Sequence, residues 1–201
     1  DLRAATNNAN LTFKNLNTKG SFQGLLNGDI HLALTRKPTH PEIRSVRIGE
    51  VTYRLFLPNG FEPKGTQLAD VLGELPLAGM EGNGHFQQSM ESLIRDQGLL
   101  VKYAVRCPSF PIMAKAVESL SIGAVLPAIA ANSLNNSAYL DLEELENLAY
   151  DLYLSWHSKQ EAINPALKKD ADAIARILGE SLSRSCAGRR PARWGSARPS
   201  P

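Results

Sequence analysis

The chain has 201 residues, 43% of them apolar and 21% charged, the balance of a soluble globular protein with one large domain or two small lobes. No apolar run reaches the ~18 residues a membrane span requires, and two cysteines, Cys107 and Cys186, make no disulfide framework, so a reducing compartment is expected. Five arginines (Arg184, Arg189, Arg190, Arg193 and Arg198) lie in an acid-free tail; removing those five from 22 leaves 17 basic against 20 acidic residues, a body without a nucleic-acid footprint of its own. The start, Asp-Leu-Arg-Ala-Ala, has neither a Met nor the order of a signal peptide, and the chain is expected to be a fragment.

In chain order, LTFKNL (11–16) alternates as a strand does. Residues 20–27 predict a short helix ended by Asn27-Gly28, and Ile30–Leu34 predicts a buried strand carrying His31. VTYRLFL (51–57) is the strongest strand signal, and Pro58-Asn59-Gly60 turns the chain. Leu75–Met80 is strand-like. A helix with Phe86, Met90, Leu93 and Ile94 on one face follows the Gly82-Asn83-Gly84 turn and stops at Gly98. Leu99–Val105 predicts a strand. A helix through Met113, Ala116, Val117 and Leu120 follows, with Ser109 as N-cap and Pro111 in its first turn. Ile122–Leu126 and Ala149–Trp156 predict strands. The last helix is capped by Asn164-Pro165 and carries Leu167, Ala171, Ile174 and Leu178. From Ser183 onward Arg, Pro, Gly and Ser dominate, and a disordered basic tail is expected over 183–201. Alternating strands and helices imply an α/β fold with mostly parallel sheets. Ligand groups are then expected where strands end before helices: Thr35-Arg36, Gly82–His85 and Pro108–Phe110.

Catalytic motifs are scarce. Gly82-Asn83-Gly84-His85-Phe86-Gln87 begins like a dinucleotide fingerprint but has Gln87 where the third glycine belongs. There is no phosphate loop, no Gly-x-Ser-x-Gly turn and no metal spacing among His31, His40, His85 and His157, so no catalytic residue, metal or cofactor is expected. Asp141, Glu143, Glu144 and Glu146 read as a solvated segment, His31 as a partly buried structural imidazole, Cys107 as a small apolar strand end, and Tyr153 and Trp156 as core. His85 at a helix start is either a ligand contact or a cap. Arg36 either grips a carboxylate or forms a surface salt bridge, and Thr35 shares that choice. The arginines of the tail either touch nucleic-acid backbone or have no such role.

GLLNGDIHLALTRKP resembles the small-x-Leu-x-x-Gly-(Asp/Glu)-x-Asp-x-Ala-(Leu/Ile) segment in the effector-binding domain of LysR-type transcriptional regulators. IRSVRIGEVTYRLFLPNG, AKAVESLSIGAVLPAIAA and YDLYLSWHSKQEAINPALKKDADAIARIL resemble later family stretches, in the family's order. The resemblance covers about 8–182 and departs from the pattern at His31, where the family usually has Asp, and at Leu120, where it often has Gly. It implies a two-lobed, type 2 periplasmic-binding-protein-like fold, N-terminally truncated, with lobe I at 1–50 plus 155–182 and lobe II at 51–154. It also implies a small-molecule effector in the inter-lobe cleft, contacted by Asn17, Thr18, Thr35, Arg36, Gly82, Asn83, His85, Pro108, Ser109 and Phe110. Further implications are a homodimer or homotetramer in the cytoplasm, and DNA contact only through an N-terminal helix-turn-helix absent from this sequence. A second reading on the same fold is an extracytoplasmic solute-binding protein of a transporter; an enzyme is the weakest reading.

Overall fold

Two short-range signals fix the helix that precedes the first described strand. Asn17 has extended backbone angles and its Oδ1 accepts from the Gly20 amide at 2.7 Å; Gly28, at φ 80°, closes the other end by donating to the Leu25 carbonyl. Between them runs α1 (Thr18–Asn27). The computed structural model describes residues 2, 6, 10–65, 67–134 and 137–187. Strands β1 (Ala33–Thr35), β2 (Ile43–Val51) and β3 (Tyr53–Phe56) follow, then α2 (Leu68–Glu74), β4 (Leu77–Met80), α3 (His85–Asp96), β5 (Tyr103–Cys107) and α4 (Phe110–Ser119). The chain continues through β6 (Gly123–Pro127), β7 (Tyr139–Leu140), β8 (Tyr150–His157), α5 (Ser158–Ile163) and α6 (Ala166–Ala187). It divides into two compact units at Val51/Thr52 and Ala149/Tyr150.

The first unit, up to Val51 plus Tyr150–Arg184, is built on an antiparallel sheet of order β1-β8-β2. Leu25, Ala33 and Ile43 form one apolar cluster, backed by half-buried Phe22, Leu26 and Ile30. Strand β2 carries a bulge between Arg47 and Gly49. Helix α6 lies close against it: a Cβ on Gly179 would sit 2.7 Å from the Ile48 carbonyl oxygen. Leu167, Ala171, Ile174, Ala175 and Leu182 form the buried stripe of α6.

The second unit, Thr52–Ala149, carries a mixed sheet of order β5-β4-β6-β3-β7. Strand β4 is parallel to β5 and β6, whereas β3 is antiparallel to β6 and β7. Phe56, Ala124, Leu126, Met113 and Val117 fill the space between the sheet and α4. Buried Arg54 is paired on both sides: Nε donates to Asp141 Oδ1 at 2.6 Å, and the guanidinium lies 4.3 Å from the Tyr139 ring centre. Glu144 accepts the Leu68 amide at 3.0 Å and so caps α2. The acidic stretch 141–146 is therefore partly a fastening, not only the solvated segment its composition predicts.

Other expectations need correction. Residues 11–16 form no strand, and Phe13 is 80% exposed; among the described residues no strand pairs with their backbone. His31 is exposed and lies outside the strand, which begins only at Ala33. The run 51–57 is broken at Thr52, where the chain passes from one sheet to the other. The edge strand predicted at 99–105 is shifted to Tyr103–Cys107, leaving Leu100 91% exposed. Four of the six strand pairings among the described residues are antiparallel, against the mostly parallel sheets expected. Alternation of strands and helices does not reveal the direction of crossing strands such as β3 and β8. Helix α6 continues through Ser183 to Ala187, since extending a formed helix costs little; residues 188–201 lie outside those described.

Gly179→Ala should cost about 1–3 kcal/mol, because the added methyl meets backbone that cannot retreat. Gly73→Ala, with nothing within 4 Å of the new Cβ, should be neutral or slightly stabilising. Urea unfolding of both variants against the parent measures the difference.

Candidate functional site

In the first unit, the end of β1 is held by β8. Ala33 stands opposite Ser155 and Thr35 opposite Tyr153, so Thr35 and Ser155 lie on one face of the sheet. Both side chains are buried, and their hydroxyls are 2.6 Å apart. Thr35 therefore spends its hydroxyl inside the protein and acts on its surroundings by fixing the strand end. Arg36, the next residue, is half-buried on the other face, with its guanidinium 4.0 Å from the ring centre of Tyr150. It has no carboxylate partner among the described residues, which leaves its hydrogen-bond donors open. Asn17 and Thr18 are exposed at the start of α1, but the Asn17 side chain is engaged as its cap.

In the second unit, β4 and β5 run parallel and end side by side, and the Glu81 amide donates to the Cys107 carbonyl at 2.8 Å. After β4 the chain turns at Gly82 (φ 75°), passes exposed Asn83 and enters α3 from Gly84, which has no side chain to cap it. His85 is exposed at the first helical position, with Nδ1 3.1 Å from Ser89 Oγ. After β5, exposed Pro108 leads to Ser109, whose extended backbone (φ −160°, ψ 158°) is that of an N-cap. Its side chain nonetheless makes no capping bond; the Met113 amide donates to the Ser109 carbonyl instead. Two helix starts without side-chain caps thus stand at the carboxyl edge of the sheet, where free N–H groups suit an anion.

Phe110 begins α4 and meets two aromatic residues that sequence reasoning did not single out. The Tyr53–Phe86 ring centres are 5.0 Å apart and stacked, Phe86–Phe110 5.0 Å apart and edge-to-face, and Tyr53–Phe110 6.2 Å apart. Phe86 lies on the predicted apolar face of α3 and Tyr53 in a continuous apolar run, so periodicity alone files both as core. Phe86, Met80, Gln87, Met90, Tyr103 and Met113 surround a crevice of about 10 Å³, room for one water. Cys107 is buried, and burial, reinforced by Glu81, pushes its thiol above the ordinary range. Among the described residues no group of three or more His, Cys, Asp or Glu is placed to hold a metal, and no helix is long and apolar enough to cross a membrane.

The fold is that of type 2 periplasmic-binding-protein-like domains as they occur in the effector-binding parts of transcriptional regulators. CbnR, a LysR family transcriptional regulator, superposes with a TM-score of 0.64 at 17% identity, over 86% of this chain and 61% of its own. The regulatory domain of MexT, a transcriptional activator in Pseudomonas aeruginosa, gives 0.69 at 17% identity, over 87% of each chain. The effector binding domain of QuiR in complex with shikimate gives 0.62 at 19% identity, over 82% of this chain and 78% of its own. The family model of the LysR substrate binding domain matches residues 1–176, and the chain belongs to that family. This match lends nothing to the transporter reading. The chain spans 61% of the length of CbnR. No curated protein matches it in sequence.

Thr35→Val should destabilise the fold by about 1–3 kcal/mol, since it leaves the Ser155 hydroxyl buried without its partner. Adding Ser155→Ala should cost less than the sum of the two single changes, a coupling that a double-mutant cycle in urea reads directly. In a Cys186→Ser background, Cys107 should resist a thiol reagent at pH 8 while the chain is folded and react rapidly in urea, because the sulfur is buried out of reach of the reagent and burial also disfavours its thiolate; comparable rates in both states contradict this.

Proposed function

We propose that the chain is the effector-sensing part of a LysR-type transcriptional regulator, and that its effector is a small carboxylate. The observation that carries the carboxylate reading is Arg36. It is a guanidinium at the carboxyl end of β1, oriented by the Tyr150 ring and unengaged by any acid among the described residues. A planar fork of donors held this way pairs readily with a carboxylate. In the second unit, Ser109 offers a hydroxyl that its own helix does not use, beside Pro108 and Phe110; Gly82, Asn83 and His85 line the neighbouring helix start. Thr35 serves by fixing Arg36, and Asn17 and Thr18 are the outlying contacts. The family membership and the shikimate complex of QuiR support a small-molecule effector.

An effector that prefers one conformation of the domain raises that conformation's population. In a regulator assembled as a homodimer or homotetramer in the cytoplasm, this shift alters how subunits pair and hence the placement of DNA-reading helices carried elsewhere in the protein. A coupling of about 1–3 kcal/mol suffices.

A thermal-shift screen of small carboxylates and amino acids should yield a ligand, because one at ~100 times its Kd adds ~2.7 kcal/mol to stability. Calorimetry with that ligand should show Arg36→Ala weakening binding about tenfold or more, the loss of a charge-assisted hydrogen bond, and Ser137→Ala leaving it unchanged. Equal effects of the two substitutions remove Arg36 from the site.

A further inference from the structure

The aromatic group of the second unit carries information about the effector that the polar groups do not. Tyr53, Phe86 and Phe110 come from β3, α3 and α4 and converge at one strand edge. Tyr53 is buried, whereas Phe86 and Phe110 are only half-buried. The rings thus grade outward from a closed core, and the crevice that Phe86 helps to line admits no more than a water. Anything larger meets the phenylalanines only through the part of each ring that is left exposed. They are held edge-to-face with each other, and Tyr53 stacks on Phe86, so both rings are fixed before a ligand arrives. A preorganised pair of phenyl rings favours a flat π system over an aliphatic body of the same size, because ring–ring geometry adds attraction beyond the area covered.

We infer that the effector carries a flat, unsaturated ring that packs on Phe86 and Phe110, with Tyr53 as the residue that positions them. This rests on the effector-sensing reading and narrows its ligand to ring-bearing acids.

The test is calorimetry on the full chain with benzoate, cyclohexanecarboxylate and heptanoate, three carboxylates of equal carbon number. Benzoate should bind tighter than the other two by about 2- to 12-fold. Phe86→Leu and Phe110→Leu, which keep apolar bulk, should each erase that preference by lowering benzoate affinity more than heptanoate affinity; a merely structural role would weaken all three equally. Upfield ring-current shifts of the bound benzoate protons read the same contact in the unsubstituted chain, independently of whether the variants fold. Equal affinity for the three acids, a preference that survives both substitutions, or absence of the ring-current shift overturns the inference and leaves the effector-sensing reading standing. So does binding of only acyclic acids from a wider carboxylate and amino-acid panel. If no member of that panel binds, both fall.

Discussion

Strand β8 has hydrogen-bonded neighbours on both sides, and its register against β1 decides what the end of β1 can do. Ser155 opposite Ala33 places one buried hydroxyl diagonally from another, that of Thr35. The residues that alternate with them turn the other way, which brings Arg36 over Tyr150. A slip of a single residue would exchange the two faces, burying a guanidinium and losing the hydroxyl pair together. The geometry of Arg36 is thus a property of the sheet and not of the arginine alone. The same strand also pairs with β2 along nearly all of its length, so the register is fixed from two sides.

The second unit reaches a comparable result by a different route. Parallel strands β4 and β5 end at the same level and lead into helices whose starts lack side-chain caps. The usual remedy, a serine hydroxyl bonded to the helix amides, is structurally at hand in Ser109 and is not used. The proposed binding surface would benefit from such incomplete satisfaction, since groups already committed inside the protein have little to offer a ligand. The aromatic residues beside it supply shape and rigidity, and the buried Arg54–Asp141 pair with Tyr139 fastens β7 to the far side of the sheet.

Helices α1, α3, α4 and α6 were legible because apolar spacing and end signals are local facts: Gly28, Gly98 and the Ser109–Pro111 start stand where composition places them, although Ser109 makes no capping bond, whereas α2, α5 and the Asn17 cap of α1 were not anticipated. The strands were less legible. LTFKNL alternates like a strand but has no strand to pair with among the described residues, and pairing is not written in any single segment. Residues 51–57 read as one continuous run because the switch of sheets at Thr52 changes the partner, not the hydropathy. Of the candidate site, the strand-end positions of Thr35, Arg36 and Ser109 could be read from turns and helix starts. The internal use of the Thr35 hydroxyl could not, since its partner lies 120 residues away. Phe86 and Tyr53 escaped notice for the opposite reason: apolar periodicity accounts for them fully without any reference to a ligand.

The bulge in β2 has a bearing on how this protein behaves in concentrated solution. An outer strand nine residues long is an invitation to a neighbouring molecule, which can extend the sheet through unsatisfied amides and carbonyls. Here Arg44, Arg47 and Glu50 are exposed along it, and the extra residue at Ile48 interrupts the regular hydrogen-bonding repeat. At the rim of the other sheet, β7 is only two residues long, and on β5 the Arg106 side chain is folded over Tyr103. Charge, brevity and broken periodicity at these borders discourage fibre-like stacking of chains and help keep the protein dispersed.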